Sequence, residues 1–213
     1  MIDQIKNQIL EDNKLHLRIL ERCMPDIELS INIINKSIKQ NKKILWCGNR
    51  GSAAICQYLA YELMSEGVSI HERKPISSIA LNTDGSLLTI SSDDNGSNSI
   101  FSRQIQGLGE KNDVLVGFSD TGNSKNIISA FKQAKFKGLQ TIALTGDYDN
   151  QLDQIGDVSI RIPSTNPQRI QLGYLNIGQV ICKQVEDKFL LLHEIYFVYE
   201  IPLPPQMLDE LRI

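Results

Sequence analysis

From residue 42 onward, short apolar runs alternate with helix-like segments, and this alternation restricts the fold more than any other feature. The apolar runs are predicted to be strands, at residues 44–46, 78–81, 114–118, 141–144 and 158–162. The segments between and after them are predicted to be helices, at residues 52–64, 87–94, 100–108, 125–135 and 169–190. Nearly continuous apolar strands that alternate with helices are typical of a parallel sheet covered on both faces. We therefore predict an α/β fold in three layers.

The first 41 residues are predicted to form two helices added to this sheet, with Pro25 between them. An apolar stripe on one face of the second helix is formed by residues at spacings of four, three and four, namely Ile27, Ile31, Ile34 and Ile38. We expect this stripe to cover a sheet face or to pack against a neighbouring subunit, and our hypothesis is a dimer or tetramer. The predicted division is a helical pair for oligomerisation at 1–41, the α/β domain at 42–190 and a C-terminal extension at 191–213. Within the extension, 195–201 is predicted to be an extended arm.

Composition argues against several classes of protein. The 213 residues are enough for one substantial α/β domain, and 41% hydrophobic residues can form an ordinary core. A net charge of −3 without a dense Lys/Arg stripe argues against direct nucleic-acid binding, and no apolar run approaches the length of a membrane span. Cys23, Cys47, Cys56 and Cys182 show no CxxC spacing and are expected to be reduced and mostly buried. We therefore expect a cytoplasmic protein.

Two Gly- and Ser-rich turns follow two of the predicted strands. One is Cys-Gly-Asn-Arg-Gly-Ser at 47–52, the other is Ser-Asp-Thr-Gly-Asn-Ser at 119–124, and each precedes a predicted helix. Turns of this kind offer main-chain N–H groups and hydroxyls to a phosphate group, at the strand ends where α/β sheets bind ligands. Together they predict a pocket for an anion, and a phosphorylated small molecule fits it best. Each turn alone is equally consistent with turn formation and helix capping.

The order of these segments resembles the SIS (sugar isomerase) domain family, in particular its branch of sedoheptulose 7-phosphate isomerases, also called phosphoheptose isomerases. The matching stretches are CGNRGS from 47, YEL from 61, ALNTD from 80, IFSR from 100, GFSDTGNS from 117, ALTG from 143 and an IPST…RIQ segment ending at 171. The resemblance extends over most of the chain, from residue 1 to about residue 189. The resemblance implies a flavodoxin-like sheet of five parallel strands (the SIS fold) and a homotetramer with sites between subunits. The same architecture also serves a relative that binds the replication initiator DnaA.

The resemblance also implies which residues would bind a sugar phosphate. These positions are Asn49, Ser52, Asp94, Ser119, Thr121, Ser124 and Gln171. The four hydroxyl residues would hold the phosphate group, and Asp94 would face the sugar hydroxyls. Ser124 also has support from its own position, because it stands near the start of a predicted helix, where hydroxyl, N–H and dipole favour an anion.

The acid–base and zinc positions that the resemblance implies carry different side chains here. In the resembling isomerases, a histidine and a glutamate one helical turn apart, with a glutamine and a histidine on the last helix, transfer protons and hold a zinc ion. The corresponding residues here are Tyr58, Glu62, Gln171 and Gln179. An amide exchanges no proton near neutral pH, a phenol titrates at about pH 10, and zinc prefers imidazole or thiolate. We therefore expect no zinc site of the family type, and Glu62 remains the candidate base.

Three functions stay open from the sequence. The leading hypothesis is a phosphosugar-binding protein with weak or absent isomerase activity. The alternatives are an active aldose–ketose sugar-phosphate isomerase that uses Glu62, and a protein-interaction module like the DnaA-binding relative. His16 is expected to be solvated, and His71 and His193 are not expected to replace the missing acid. Arg50, where the family usually has a small residue, could bind phosphate or fill the space that a sugar needs.

Overall fold

The computed structural model describes residues 1–65, 73–93 and 96–198, with the side chains of all of these except 90–93 and 191–198. Its helices are α1 (Ile2–Arg22), α2 (Met24–Ile38), α3 (Gly51–Met64), α4 (Gly85–Asp93), α5 (Ile100–Leu108), α6 (Lys125–Lys137), α7 (Leu152–Ile155) and α8 (Pro167–Val198). Its strands are β1 (Ile44–Gly48), β2 (Ser78–Ala80), β3 (Val114–Ser119), β4 (Gln140–Thr145) and β5 (Val158–Arg161). A short 3-10 turn, Ser97–Ser99, leads into α5.

The strands form one parallel sheet in the order β2-β1-β3-β4-β5. β1 pairs with β3 along its whole length, from Ile44 opposite Val114 to Gly48 opposite Phe118. This is the flavodoxin-like order, which leaves a crevice at the carboxyl ends of β1 and β3, where the direction of winding reverses. The prediction of a parallel five-stranded sheet is confirmed, and every strand overlaps its predicted position.

Helices cover both faces of the sheet and bury two apolar cores. On one face, α1, α2, α3 and α8 contribute to a core that includes Ile34, Trp46 and Ile177. On the other face, α5, α6 and α7 surround Phe101 and Phe131. β1 and β3 are buried at every position because both of their faces are covered. The predicted three-layer arrangement is confirmed.

The isoleucine stripe of α2 lies inside the protein and not at a subunit surface. Ile27 and Ile34 are buried in the core that α2 shares with the sheet and α8. α2 therefore covers a sheet face, and the hypothesis that its stripe marks an oligomer interface is wrong. The large apolar side chains that stay exposed on the N-terminal helices are mostly on α1, at Ile2, Ile5, Ile9, Leu10, Leu17 and Leu20.

The predicted extended arm is wrong for its first four residues, 195–198. α8 continues from Pro167 to Val198, because the next helix-breaking residue in the sequence is Pro202. The rest of the arm, with the remainder of the C-terminal extension after 198, lies outside the described residues. Although α8 has 32 residues, neither it nor any other helix in the described ranges is long and apolar enough to cross a membrane.

α3 and α8 approach each other closely because a glycine stands at their contact. A Cβ added at Gly178 on α8 would lie 2.4 Å from Cδ1 of Leu59 on α3. Glycine in a helix interior costs about 1 kcal/mol relative to alanine, so its presence here is explained by packing. The contact fixes the spacing of the two helices that carry Tyr58 and Gln179.

Replacing Gly178 with alanine is expected to lower the free energy of unfolding by about 1–2 kcal/mol, because fully buried Leu59 has no space to move away. Gly107 is a matched control, since it also lies within a helix but an added Cβ would meet nothing within 4 Å. The Gly107→Ala variant is expected to be about 0.5–1 kcal/mol more stable than the wild type. Urea denaturation measures both changes, and shifts of the same sign would contradict the packing explanation.

Candidate functional site

The loops at 47–52 and 119–124, together called the loop cluster, lie side by side. β1 and β3 are neighbours in the sheet and end at the same edge, so the loops that follow them meet at the crevice. An amide pair links the first loop to the first turn of α6, just past the second loop: Asn49 Nδ2 donates to Asn126 Oδ1 at 3.0 Å, and Asn126 Nδ2 donates to Asn49 Oδ1 at 2.8 Å. Asn49 is therefore near the expected phosphate position, and its side chain holds the first loop against the start of α6.

Two serines of the second loop form a hydrogen-bonded pair at the start of α6. The Ser119 hydroxyl donates to Ser124 Oγ at 2.9 Å, and the Ser124 main-chain N–H donates to Ser119 Oγ at 3.4 Å. Ser124 is the N-cap residue of α6, but its side chain makes no capping hydrogen bond to the helix. The first turn of a helix has main-chain N–H groups without partners inside the helix, which attract anions. The pair therefore lies where an anion is expected to bind.

The first loop places Arg50 and Ser52 at the start of α3. Ser52 is buried in the first turn of the helix. Arg50 is exposed and has a φ of 55° and a ψ of −124°, a conformation that residues other than glycine rarely adopt. In the second loop, Thr121 is exposed, and its Oγ1 accepts a hydrogen bond from the Asn123 main-chain N–H at 3.4 Å.

The start of α8 lies against the loop cluster and brings Gln171 and Tyr174 to Asp120. A Cβ added at Gly51 would lie 2.4 Å from Gln171 Oε1, so the end of the Gln171 side chain lies directly against the first loop. Burial raises the pKa of Asp120, while polar contacts with Tyr174 and Gln171 and the positive charge of Arg50 act in the opposite direction. Burial, together with the charge of Asp120, raises the pKa of Tyr174 well above its usual value. The Tyr174 phenol therefore stays neutral near pH 7.

The remaining implied positions form a second polar group farther along α3 and α8. Gln179 Nε2 donates to the Tyr58 hydroxyl at 3.0 Å. Glu62 follows one helical turn after Tyr58 on α3, and we call Tyr58, Glu62 and Gln179 the helix-pair site. Gln171 precedes Gln179 by eight residues on α8, which is about 12 Å along the helix axis. Within one chain, the four implied positions therefore fall into two groups.

The donor atoms of the helix-pair site match zinc poorly. Zinc sites in proteins use thiolate, imidazole and carboxylate ligands. Here the Gln179 amide donates its hydrogen to the Tyr58 phenol, and Glu62 is the one carboxylate. In the part of the chain that the structure describes, no group of three or more His, Cys, Asp or Glu side chains could hold a metal ion. We therefore assign no reaction step to zinc.

Of the other candidate residues, Asp94 and His71 lie outside the described residues, and the side chain of His193 is not described. His16 differs from its prediction, because it is partly buried and not solvated. One side of α1 packs on α8, and this packing buries the Nε2 atom of His16. That atom has no hydrogen-bond partner among the described residues.

Sequence reasoning missed Asp120 and Asn126 as neighbours of the candidate site, and it did not place Tyr174, which it associated with a remodelled site on the last helix, against Asp120. The available signal for Asp120 was a carboxylate between two hydroxyl residues of the second loop. Asn126 lies just past that loop, and Tyr174 is one helical turn after Gln171, a spacing that puts both on one side of a helix.

Comparison with known proteins assigns the chain to a protein family. The sequence profile of the SIS domain matches residues 11–146, which is more than half of the chain. The chain belongs to the SIS domain family. This SIS protein is 36% identical over 189 residues to the phosphoheptose isomerase of a Nitratiruptor species, covering 89% of this chain and 100% of the relative. It is 40% identical over 165 residues to the phosphoheptose isomerase of Rhodospirillum rubrum, covering 78% of this chain and 87% of the relative.

The fold of this SIS protein is also similar to a solved phosphoheptose isomerase. The structure from Francisella tularensis superimposes with a TM-score of 0.83 at 27% sequence identity, covering 87% of this chain and 98% of that chain. The predicted resemblance to the SIS family and its phosphoheptose isomerase branch is confirmed, as is the SIS fold.

Proposed function

We propose that this SIS protein binds a sugar phosphate at the loop cluster and lacks the zinc-dependent isomerase chemistry expected of its family branch. The observation that carries the proposal is the Ser119–Ser124 pair, whose hydroxyls lie at the start of α6 without capping it. Ser52 and the start of α3 lie at the same edge of the sheet. Two helix N-termini and several hydroxyls together suit a phosphate group. The names of the relatives indicate a heptose phosphate as the ligand to test first.

The helix-pair site supports the second half of the proposal. An aldose–ketose isomerase moves a proton between adjacent carbon atoms, so it needs both an acid and a base. Tyr58 and Gln179 occupy the positions where the resemblance implies histidines, and they are hydrogen-bonded to each other. The loss of one acid–base group typically lowers a rate by about 10²- to 10⁴-fold. We therefore expect isomerase activity to be weak or absent and no cofactor to be bound.

An active isomerase is the second candidate, and the identity of 36–40% to phosphoheptose isomerases favours it. Glu62 would be its base, and its position one turn from Tyr58 keeps a carboxylate in the helix-pair site. Turnover of sedoheptulose 7-phosphate by the purified protein, abolished in the Glu62→Gln variant, would establish this candidate and refute the first.

Calorimetric titration with sedoheptulose 7-phosphate tests the first half of the proposal, the binding of a sugar phosphate at the loop cluster. The Ser124→Ala variant is expected to bind it about 10- to 100-fold more weakly, because it loses a hydrogen bond to a charged group. Ser129, a partly buried serine on the same helix but outside the loop cluster, is the matched control, and Ser129→Ala is expected to bind like the wild type. Equal affinity of all three proteins would contradict binding at the loop cluster. No binding by the wild type would favour the protein-interaction module.

We also propose that the protein is a homotetramer and that it is located in the cytoplasm. The exposed apolar side chains of α1 support self-association, because they form a large apolar surface on one helix. The four cysteines are free and buried, as expected in a reducing compartment. Light scattering of the purified protein measures its mass, and a monomer would contradict the oligomer.

A further inference from the structure

A carboxylate stands inside the cluster that is proposed to bind an anion. Asp120 directly follows Ser119, and its main-chain carbonyl accepts a hydrogen bond from the Gly146 N–H at 2.9 Å. A Cβ added at Gly146 would lie 2.7 Å from that carbonyl oxygen. The main chain at Asp120 is therefore held closely against the segment that follows β4, which fixes where the carboxylate can lie.

The Asp120 side chain faces the buried hydroxyl of Tyr174. Tyr174 is 0% exposed, and its ring packs edge-on against Phe118 with a centroid distance of 5.1 Å and an interplanar angle of 61°. The Tyr174 hydroxyl interacts with the Asp120 carboxylate and with the Ser119 main chain. A neutral phenol beside a carboxylate stabilises its negative charge, so Tyr174 helps to hold Asp120 in place.

The charge of Asp120 affects different anions differently. An ionised carboxylate beside Ser119 repels a doubly charged phosphate group, and Arg50 offsets part of that repulsion. A phosphate ester without hydroxyls gains nothing from Asp120. A sugar phosphate carries hydroxyls, which can donate charge-assisted hydrogen bonds to the carboxylate. Specificity is often achieved in this way, by an element that repels the wrong ligand.

We infer that Asp120 is a specificity-determining residue of this site: it accepts a hydrogen bond from a sugar hydroxyl near the phosphate group and disfavours phosphates that carry no hydroxyls. The inference rests on the proposed binding of a sugar phosphate at the loop cluster. Tyr174 and Gln171 hold the carboxylate in place, and Arg50 keeps its repulsion moderate. The ligand class is thereby narrowed to polyol phosphates.

The test compares two probes, sedoheptulose 7-phosphate and methyl phosphate, by calorimetric titration at pH 8 and constant ionic strength. The Asp120→Asn variant keeps the shape of the side chain and removes its charge. Its affinity for methyl phosphate is expected to rise about tenfold, and its preference for the sugar phosphate over methyl phosphate to fall at least about tenfold. Glu28, an exposed carboxylate on α2, is the matched control, and Glu28→Gln is expected to keep the wild-type preference.

The outcomes separate this inference from the proposed function. If Asp120→Asn keeps the wild-type preference, or loses affinity for both probes, Asp120 does not determine specificity although the site still binds sugar phosphates. Stronger binding of methyl phosphate than of the sugar phosphate by the wild type also overturns the inference. If the wild type binds neither probe, the proposed function fails and the inference fails with it. Circular dichroism establishes that each variant is folded.

Discussion

Replacing Arg73 with methionine is expected to lower the free energy of unfolding by about 3–5 kcal/mol. The Arg73 side chain is 0% exposed, and its Nε donates to Glu186 Oε1 at 2.7 Å. It also donates to the main-chain carbonyls of Leu63 and Glu62, each at 2.9 Å, in the last turn of α3. Removing it leaves a buried carboxylate without a counter-charge and helix-end carbonyls without donors, and both are costly.

Lys183 provides the matched control for Arg73, because it also pairs with a carboxylate of α8. Its Nζ lies 2.7 Å from Asp187 Oδ1, but both side chains are exposed. Lys183→Met is expected to cost less than about 1 kcal/mol. Replacing both buried partners, in Arg73→Met with Glu186→Leu, is expected to restore much of the lost stability, since no unpaired charge remains. Urea unfolding at a fixed protein concentration, followed by Trp46 fluorescence, measures the free energy of unfolding of each variant. Equal losses for Arg73→Met and Lys183→Met would contradict the buried-pair account.

The double variant Tyr58→His with Gln179→His is expected to bind zinc at least about 100-fold more tightly than the wild type. Gln179 Nε2 and the Tyr58 hydroxyl oxygen are 3.0 Å apart in the wild type. Two imidazoles at these positions can therefore reach a single zinc ion with ordinary Zn–N bonds of about 2.0–2.1 Å. Glu62 adds a carboxylate from the same helix as Tyr58. If the missing imidazoles are what prevents catalysis, turnover of sedoheptulose 7-phosphate should also become zinc-dependent and rise by about 10²-fold or more.

Two exposed glutamines on the same helices serve as the control for this double variant. Gln57 adjoins Tyr58 on α3, and Gln184 lies on α8. The double variant Gln57→His with Gln184→His therefore introduces two imidazoles, as many as Tyr58→His with Gln179→His, but away from the helix-pair site. This control is expected to show neither tight zinc binding nor new turnover. The result that contradicts the account is a wild-type protein that already binds one zinc ion per chain and isomerises the sugar phosphate.

Much of the fold follows from local sequence patterns. Strands apolar at every position, such as β1 and β3, are explained by a sheet covered on both faces, and this pattern predicts three layers. The stripe of α2 was ambiguous because an apolar helix face packs equally well on a sheet or on another subunit. The helical end of α8 was missed because aromatic and β-branched residues disfavour helices only slightly, while continuity with a long helix outweighs that preference.

The candidate site was predictable where it consists of continuous loops. Ser119 and Ser124 lie five residues apart in one turn, so their proximity follows from the sequence. The contacts of Asp120 with Tyr174 depend on how α8 lies across the sheet edge, which no local pattern specifies. The separation of Gln171 from Gln179, by contrast, follows from the sequence, because eight residues along one helix span about 12 Å.

The most direct test of the central claim is a crystal structure of the protein soaked with sedoheptulose 7-phosphate and zinc, with anomalous diffraction recorded at the zinc edge. We expect the phosphate group to accept hydrogen bonds from Ser119 and Ser124, with no anomalous peak between Tyr58 and Gln179. A tetrahedrally coordinated zinc ion at the helix-pair site, or a sugar phosphate bound away from the loop cluster, would contradict the account.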